Sequence, residues 1–188
     1  MQIVILRHGK PKIETHGRLS AFDFGQWVAA YNRAGLDNAH APSADAIAQA
    51  RACSAVVCSN LPRSIESATA LGVKHVELQD ALFRECDMPY ARWNYPKLSV
   101  LGWSFIFRIL QVLGYSSNAE SFKEAKQRAY ECALRLSELA EKHQSVVFVG
   151  HGSLNWLIAK KLLHMGWVGP SHAGRKHWEF GVYHYNEI

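Results

Sequence analysis

The amino-acid sequence predicts an α/β fold, a three-layer sandwich with a mainly parallel central sheet and helices on both faces. Short apolar runs, such as residues 3–6 and 146–149, alternate with longer stretches of helical periodicity, which is typical of βαβ units. A length of 188 residues suits one compact domain with a substantial core. We therefore predict a single domain over residues 1–188.

Five strands are predicted from short apolar runs bounded by turns or helices. They cover residues 2–6, 54–58, 75–78, 145–149 and 178–185. In the last of these the apolar residues alternate imperfectly, which fits an antiparallel strand at the edge of the sheet.

Six helices are predicted between the strands. They cover residues 19–34, 43–52, 62–71, 98–113, 119–143 and 154–165. Ser43 fits the N-cap of the second helix. The third has Pro62 near its start and Gly72 just past its end, which is the usual asymmetry of helix termini. In the first helix the expected inward positions are Phe22, Trp27, Ala30 and Tyr31.

Charge and composition limit the classes of function. The net charge of +5 and the isoelectric point of about 9.1 favour anionic partners. The chain has no dense Lys/Arg run and no zinc-finger spacing, so we do not expect it to bind nucleic acid. The four cysteines lack a Cys-x-x-Cys spacing and fit free thiols in a reducing compartment. No secretory signal is recognised at the N-terminus, so a cytoplasmic location is expected.

The stretch at residues 98–115 is apolar and aromatic, and it forms part of a helical insertion around residues 86–118. Arg108 interrupts it, and it is shorter than the roughly 20 residues that span a bilayer, so no membrane span is expected. Its role is open between a lid over the site, a core flank, and a surface for a partner or a membrane. The aromatic residues concerned are Trp93, Tyr95, Trp103, Phe105 and Phe107.

Histidines and charged side chains follow four of the predicted strands. Arg7 and His8 follow the first, Arg63 the second and His151 the fourth, while Glu85 comes a few residues after the third. Because the carboxyl ends of parallel strands meet at one edge of a sheet, we expect these side chains to gather there. Their joint placement predicts a phosphate site that contains a histidine nucleophile.

Four segments of the chain resemble the motifs of the histidine phosphatase superfamily, the phosphoglycerate-mutase-like proteins. They are Leu-Arg-His-Gly at residues 6–9, Ser-Asn-Leu-Pro-Arg-Ser-Ile-Glu-Ser-Ala at 59–68, Leu-Phe-Arg-Glu at 82–85 and Val-Gly-His-Gly at 149–152. Their order and spacing fit the family across nearly the whole chain.

The resemblance implies a role for each of these residues. His8 would be the nucleophile, neutral at one ring nitrogen, and Glu85 would protonate the leaving oxygen. Arg7, Arg63 and His151 would hold the phosphoryl oxygens, so that neither a metal nor another cofactor is needed. Positive neighbours are expected to lower the pKa of His8 and keep it available at neutral pH.

Two positions depart from the family's pattern. After Gly9 the family often has an acidic or amide residue, but here Lys10 follows. Lys10 either binds a second anionic group of the substrate or is solvated. The family's common glycine and tryptophan are missing after Glu85, which leaves Asp87 as the alternative proton donor.

The expected function is hydrolysis of a small phosphomonoester by a metal-independent phosphatase, since the chain is short for a mutase. The alternatives are a phosphohistidine-protein phosphatase and a non-catalytic phosphate-binding module of the same fold. The sequence is compatible with a homodimer. Four histidines lack the spacing of zinc ligands and are expected to be scattered: His164, His172, His177 and His184.

Overall fold

A computed structural model describes residues 1–14 and 17–185 of the chain. Its strands are β1 (Gln2–Arg7), β2 (Ala55–Ser59), β3 (Leu78–Asp80), β4 (Ser145–Gly150) and β5 (Phe180–His184). Its α-helices are α1 (Ala21–Arg33), α2 (Ala44–Ala52), α3 (Pro62–Ala70), α4 (Val100–Val112), α5 (Phe122–His143) and α6 (Gly152–His164). A short 3-10 helix, Ala81–Phe83, follows β3.

The strands form one sheet in the order β3-β2-β4-β1-β5. The first four strands are parallel, and β5 is antiparallel to β1 at the edge. This architecture confirms the predicted α/β fold and the predicted direction of the last strand. Within the described residues, no helix is both long enough and apolar enough to cross a lipid bilayer.

The sheet separates two apolar cores because successive side chains of a strand point to opposite faces. Ile3 and Ile5 of β1 belong to the core under α5 and α6. Val4 and Leu6 belong to the core under α2 and α3. Helices therefore cover both faces of the sheet, as the prediction of three layers requires.

The structure places β3 later in the chain than predicted. A strand is predicted over residues 75–78, but pairing with β2 begins only at Leu78, opposite Val57. Glu77 lies just before the strand, where its carboxylate accepts from Lys142 Nζ at 3.3 Å. The pairing with β2 therefore determines where the strand begins.

A third cluster packs α1 against α4, and it corrects the inward face predicted for α1. Phe24 is buried, and its ring lies 5.6 Å from that of Phe107. Phe22 and Ala30, which were expected to face inward, are exposed. The reason is that α1 packs against the insertion helix α4, which a pattern within α1 alone does not show.

Candidate active site

The carboxyl ends of β1 and β4 place two histidines next to each other. Arg7 lies opposite Gly150 in the parallel register, so that His8 and His151 each follow a strand end directly. The centroids of the two rings are 5.0 Å apart. His151 is also the N-cap residue of α6, where its backbone N–H donates to Asn155 Oδ1 at 2.9 Å.

Two hydrogen bonds fix the tautomer of His8. Its Nδ1 lies 2.6 Å from the carbonyl oxygen of Gly9, which can only accept, so Nδ1 carries the proton. Arg63 Nε lies 3.2 Å from His8 Nε2, and a guanidinium can only donate. The lone pair of Nε2 is therefore directed at the cationic side of the site.

Burial lowers the pKa of His8 well below its ordinary value, and the nearby His151 and Arg63 lower it further. The contact with the Gly9 carbonyl acts in the opposite direction and is the weaker influence. The ring is thus neutral at neutral pH. A neutral imidazole can attack an electrophile through the lone pair of Nε2 once a ligand oxygen replaces that nitrogen as the acceptor for Arg63 Nε.

Arg63 follows β2 and lies in the first turn of α3, where its side chain is fully buried. Its guanidinium donates to the Tyr31 carbonyl at 3.0 Å and reaches Asn32 Oδ1 at 3.5 Å. It also lies 4.5 Å from the centre of the Tyr31 ring. In the described part of the chain no carboxylate forms an ion pair with it. Because a buried charge needs a counter-charge, an anionic ligand fits this position.

Two further buried nitrogen atoms, Arg7 Nε and His151 Nδ1, have no hydrogen-bond partner within residues 1–14 and 17–185. Another nitrogen of each side chain forms a hydrogen bond within the protein. Arg7 Nη1 donates to the Arg175 carbonyl, and His151 Nε2 lies 2.7 Å from Ser59 Oγ. Buried polar atoms are rarely left unpaired, so both nitrogens are suited to a ligand oxygen.

The His151 ring, like that of His8, is neutral. Burial lowers the pKa of His151 well below its ordinary value, and the charges of Arg63 and Arg7 act in the same direction. If the Ser59 hydroxyl donates to Nε2, the ring proton resides on Nδ1 and can be donated to an anion. Ser59 accepts from the backbone N–H of Leu61 at 3.2 Å, which leaves its own proton for His151.

Glu85 is held at the start of α6. Its carboxylate accepts from the backbone N–H groups of Cys86 at 2.8 Å, Leu154 at 3.1 Å and Ser153 at 3.3 Å. Glu85 is also close enough to Arg63 to interact with its charge. The structure thus brings this carboxylate to the same sheet edge as the histidines.

Asp87 lies on an exposed turn that Arg108 of α4 holds in place. Arg108 donates to the carbonyl of Cys86 at 2.8 Å and to that of Asp87 at 2.9 Å. Both Glu85 and Asp87, the predicted candidates for the proton donor, line the same cavity.

A cavity of about 630 Å³ opens at this edge of the sheet. Its charged and titratable wall contains Arg7, Lys10, Glu85 and His177. The opposite wall is aromatic and is supplied by α1, through Phe24, Trp27 and Tyr31. A second cavity of about 560 Å³ lies on the other side of Arg7 and Glu85, which line both.

The aromatic residues of the insertion do not line either cavity. Trp103 and Phe107 are buried against α1, and the Trp103 Nε1 donates to the Leu19 carbonyl at 2.7 Å. Phe105, Trp93 and Tyr95 are exposed. The core-flank interpretation is confirmed for Trp103 and Phe107.

His177 is a site residue that the sequence analysis did not identify. Its ring centroid lies 5.3 Å from that of His8, and its Nδ1 lies 3.0 Å from the His8 carbonyl oxygen. A signal was available, since the antiparallel strand β5 pairs Phe180 with Leu6. Residues just before β5 must then lie beside the end of β1.

Lys10 lies at the exposed rim of the cavity. Its Nζ is 3.9 Å from a carboxylate oxygen of Asp37, a distance at the outer limit of an ion pair. Within the described residues no group of three or more His, Cys, Asp or Glu side chains could hold a metal ion.

Comparison with known proteins agrees with this geometry. The model of the histidine phosphatase superfamily (branch 1) matches residues 3–177. The chain therefore belongs to the histidine phosphatase superfamily, a class that contains both phosphatases and mutases. A search of curated proteins finds no significant match.

Solved structures of this class share the fold. A phosphoglycerate mutase from Bacillus anthracis str. Sterne is 15% identical with a TM-score of 0.61, and the match covers 100% of this chain and 92% of that one. A mycobacterial glucosyl-3-phosphoglycerate phosphatase, solved with VO3, is 22% identical with a TM-score of 0.56, over 87% of this chain and 82% of that one. At these identities the likeness establishes the fold alone.

Proposed function

We propose that this protein is a phosphatase that hydrolyses a phosphomonoester through a phosphohistidine on Nε2 of His8. The observation that carries this proposal is the fixed neutral tautomer of a buried His8, whose lone pair points toward Arg63. A proton on Nδ1, held by the Gly9 carbonyl, leaves Nε2 as the attacking atom.

In the first step Nε2 of His8 forms a bond to phosphorus while the bond between phosphorus and the ester oxygen breaks. Arg7, Arg63 and His151 donate to the equatorial oxygens, over which negative charge spreads in the transition state. Glu85, or Asp87 in its place, donates a proton to the leaving oxygen, so that an alcohol is released.

In the second step the same carboxylate takes a proton from water as the water oxygen attacks phosphorus. The bond between phosphorus and His8 Nε2 breaks, and inorganic phosphate is released. The charges of Arg7 and Arg63 neutralise the phosphoryl charge in both steps, so a metal ion is not needed for that purpose. The aromatic wall of α1 supports a substrate whose alcohol portion is apolar or planar.

Turnover of para-nitrophenyl phosphate in EDTA tests the proposal. We expect wild-type turnover to persist, His8→Asn to reduce it by at least about a thousandfold, and the matched surface variant His164→Asn to leave it unchanged. Wild-type protein quenched after exposure to a labelled phosphoester should carry an acid-labile, alkali-stable label that His8→Asn lacks. Equal turnover by wild type and His8→Asn would refute the assignment, and tight phosphate binding without any turnover would favour the non-catalytic alternative.

A further inference from the structure

The outward face of α4 is an unusually apolar part of the surface. Leu101, Phe105, Ile109, Val112 and the C-cap residue Leu113 are each between 44% and 82% exposed. With 3.6 residues per turn, these five positions fall within about a third of the helix circumference. They form one stripe, here named the α4 stripe. A contiguous exposed apolar patch of this kind marks an interaction surface.

The chain segment that contains the α4 stripe carries charge of one sign. Between Asp87 and Glu120 the chain contains no acidic residue, but it contains Arg92, Lys97 and Arg108. Arg92 and Lys97 are exposed just before the helix, whereas Arg108 points to backbone carbonyls. Tyr95, also exposed, has Lys97 Nζ 6.0 Å from its ring centre.

We propose that the α4 stripe docks on an anionic lipid surface. Apolar side chains inserted at the boundary between headgroups and acyl chains, with basic residues and an amphipathic aromatic beside them, are the components of interfacial binding. The other face of α4 is held in the protein by Trp103 and Phe107. The helix is therefore already folded and needs no ordering on contact with lipid.

Charge argues against a second copy of the chain as the occupant. A two-fold interface brings the same patch of both copies together, so Arg92 and Lys97 would face their equivalents with no acidic residue in this segment to compensate. A stable interface also uses about 20–30 residues on each side, far more than the stripe provides. An anionic bilayer satisfies both the apolar and the basic groups.

The position of the stripe links it to the catalytic cavity. Leu101 of the stripe also lines the cavity of about 630 Å³, and Val112 of the stripe lines the cavity of about 560 Å³. Arg7 and Glu85 line both cavities. Docking would place the cavity rims next to the lipid headgroups. We therefore infer, on the basis of the proposed phosphatase function, that the substrate is an amphiphilic phosphomonoester carried in that surface.

Vesicle flotation with the full chain tests the docking step. We expect wild-type protein to bind vesicles of phosphatidylcholine with phosphatidylglycerol, and to bind pure phosphatidylcholine less. Phe105→Ser/Ile109→Ser should lower the bound fraction by about tenfold, because it removes apolar area that lipid would cover. The matched control Leu134→Ser/Val168→Ser changes exposed apolar residues elsewhere and should bind like wild type.

The charge contribution has its own pair of variants. Arg92→Gln/Lys97→Gln should lose most of the preference for anionic vesicles, whereas Arg33→Gln/Lys74→Gln, which also removes two exposed positive charges, should retain it. Docking is overturned if wild type binds neither kind of vesicle, or if the Phe105→Ser/Ile109→Ser protein binds as well as wild type. It is also overturned if light scattering shows that wild type is a dimer and that Phe105→Ser/Ile109→Ser is a monomer.

Activity measurements separate the substrate inference from the proposed function. Hydrolysis of hexadecyl phosphate carried in the anionic vesicles should fall with Phe105→Ser/Ile109→Ser, while turnover of para-nitrophenyl phosphate in solution stays unchanged. Equal hydrolysis of the vesicle-bound ester by both proteins would overturn the substrate inference alone. Failure of wild type to turn over para-nitrophenyl phosphate would overturn the proposed function, with vesicle binding measured independently of it.

Discussion

At the scale of single residues, the site depends on two histidines that are kept neutral inside the protein. Both His8 and His151 have a pKa well below the ordinary value, with burial as the main cause. In the unfolded chain each would titrate near 6.5. The unfolded state therefore binds more protons than the folded state in the pH range below about 6.5, and folding is opposed there.

Stability should consequently fall as the medium is acidified. Above about pH 7, these two histidines should not change the free energy of unfolding with pH. Below about pH 6.5, each histidine should lower the free energy of unfolding by up to about 1.4 kcal/mol for each pH unit of acidification. Urea unfolding of wild type and His8→Asn at a series of pH values measures this. The free energy of unfolding of His8→Asn should depend less steeply on pH than that of wild type. Parallel plots of this free energy against pH would show that the fold does not hold His8 neutral.

Ser59 is expected to orient His151 for phosphate binding. Ser59→Ala removes the partner of His151 Nε2 and leaves that buried nitrogen unsatisfied, at a cost of about 1–3 kcal/mol. We expect kcat/KM to fall roughly five- to 150-fold, in line with that cost. Steady-state kinetics should be compared with Ser54→Ala, which removes an exposed hydroxyl at the opposite end of β2. Equal kinetics for the two variants would contradict the role of Ser59.

At the scale of secondary-structure elements, the apolar runs predicted the strands β1, β2 and β4. These strands are buried on both faces of the sheet, so most of their residues are apolar. The boundary of β3 and the inner face of α1 could not be predicted in this way. Both depend on a partner distant in sequence: β2 for the pairing of Leu78, and Phe107 of α4 for the packing of Phe24. Patterns within one element do not contain that information.

The buried face of α4 should contribute to stability rather than to substrate binding. Trp103→Ala removes a side chain that is 1% exposed, and we expect it to lower the free energy of unfolding by about 3–5 kcal/mol. Phe105→Ala, on the exposed face of the same helix, should change it by less than about 0.5 kcal/mol. Denaturant unfolding of both variants measures the difference, and similar costs for the two would mean that α4 is turned differently.

Arg108 links α4 to the chain segment that contains both carboxylates. Arg108→Ala would free the carbonyls of Cys86 and Asp87, so we expect kcat to fall by about tenfold as the proton donor loses its fixed position. Measurements of kcat at a series of pH values should also show that the pH dependence of Arg108→Ala differs from that of wild type. The matched variant Arg135→Ala, which removes an exposed arginine of α5, should leave kcat and its pH profile unchanged.

At the scale of the whole molecule, the order of the sheet explains why the site could be anticipated. Residues placed after parallel strands meet at one edge, so Arg7, His8, Arg63 and His151 could be expected together before any contact was known. His177 could not be found from periodicity, because its position results from a loop that returns to the sheet. The role of the insertion stayed open because the packing of α1 against it depends on contacts between segments distant in sequence.

The positive net charge should act on the approach of the substrate. We expect kcat/KM for a dianionic phosphoester to fall several-fold as ionic strength rises from about 0.01 M to 0.15 M, where the screening length shortens from about 30 Å to 8 Å. Lys10→Gln, at the exposed rim, should flatten this dependence, and Lys74→Gln should not. A rate insensitive to salt would indicate that long-range attraction does not limit binding.

The central strand β1 has both of its neighbours, β4 and β5, near the other end of the chain. During synthesis its wholly buried residues, Ile3 to Leu6, would therefore have neither of these strands to pair with until the chain extends to β4. Translation products that stop before β4 would expose this hydrophobic segment, which favours aggregation and engagement by chaperones. Such products would also lack the candidate site, because His8 would be present without His151.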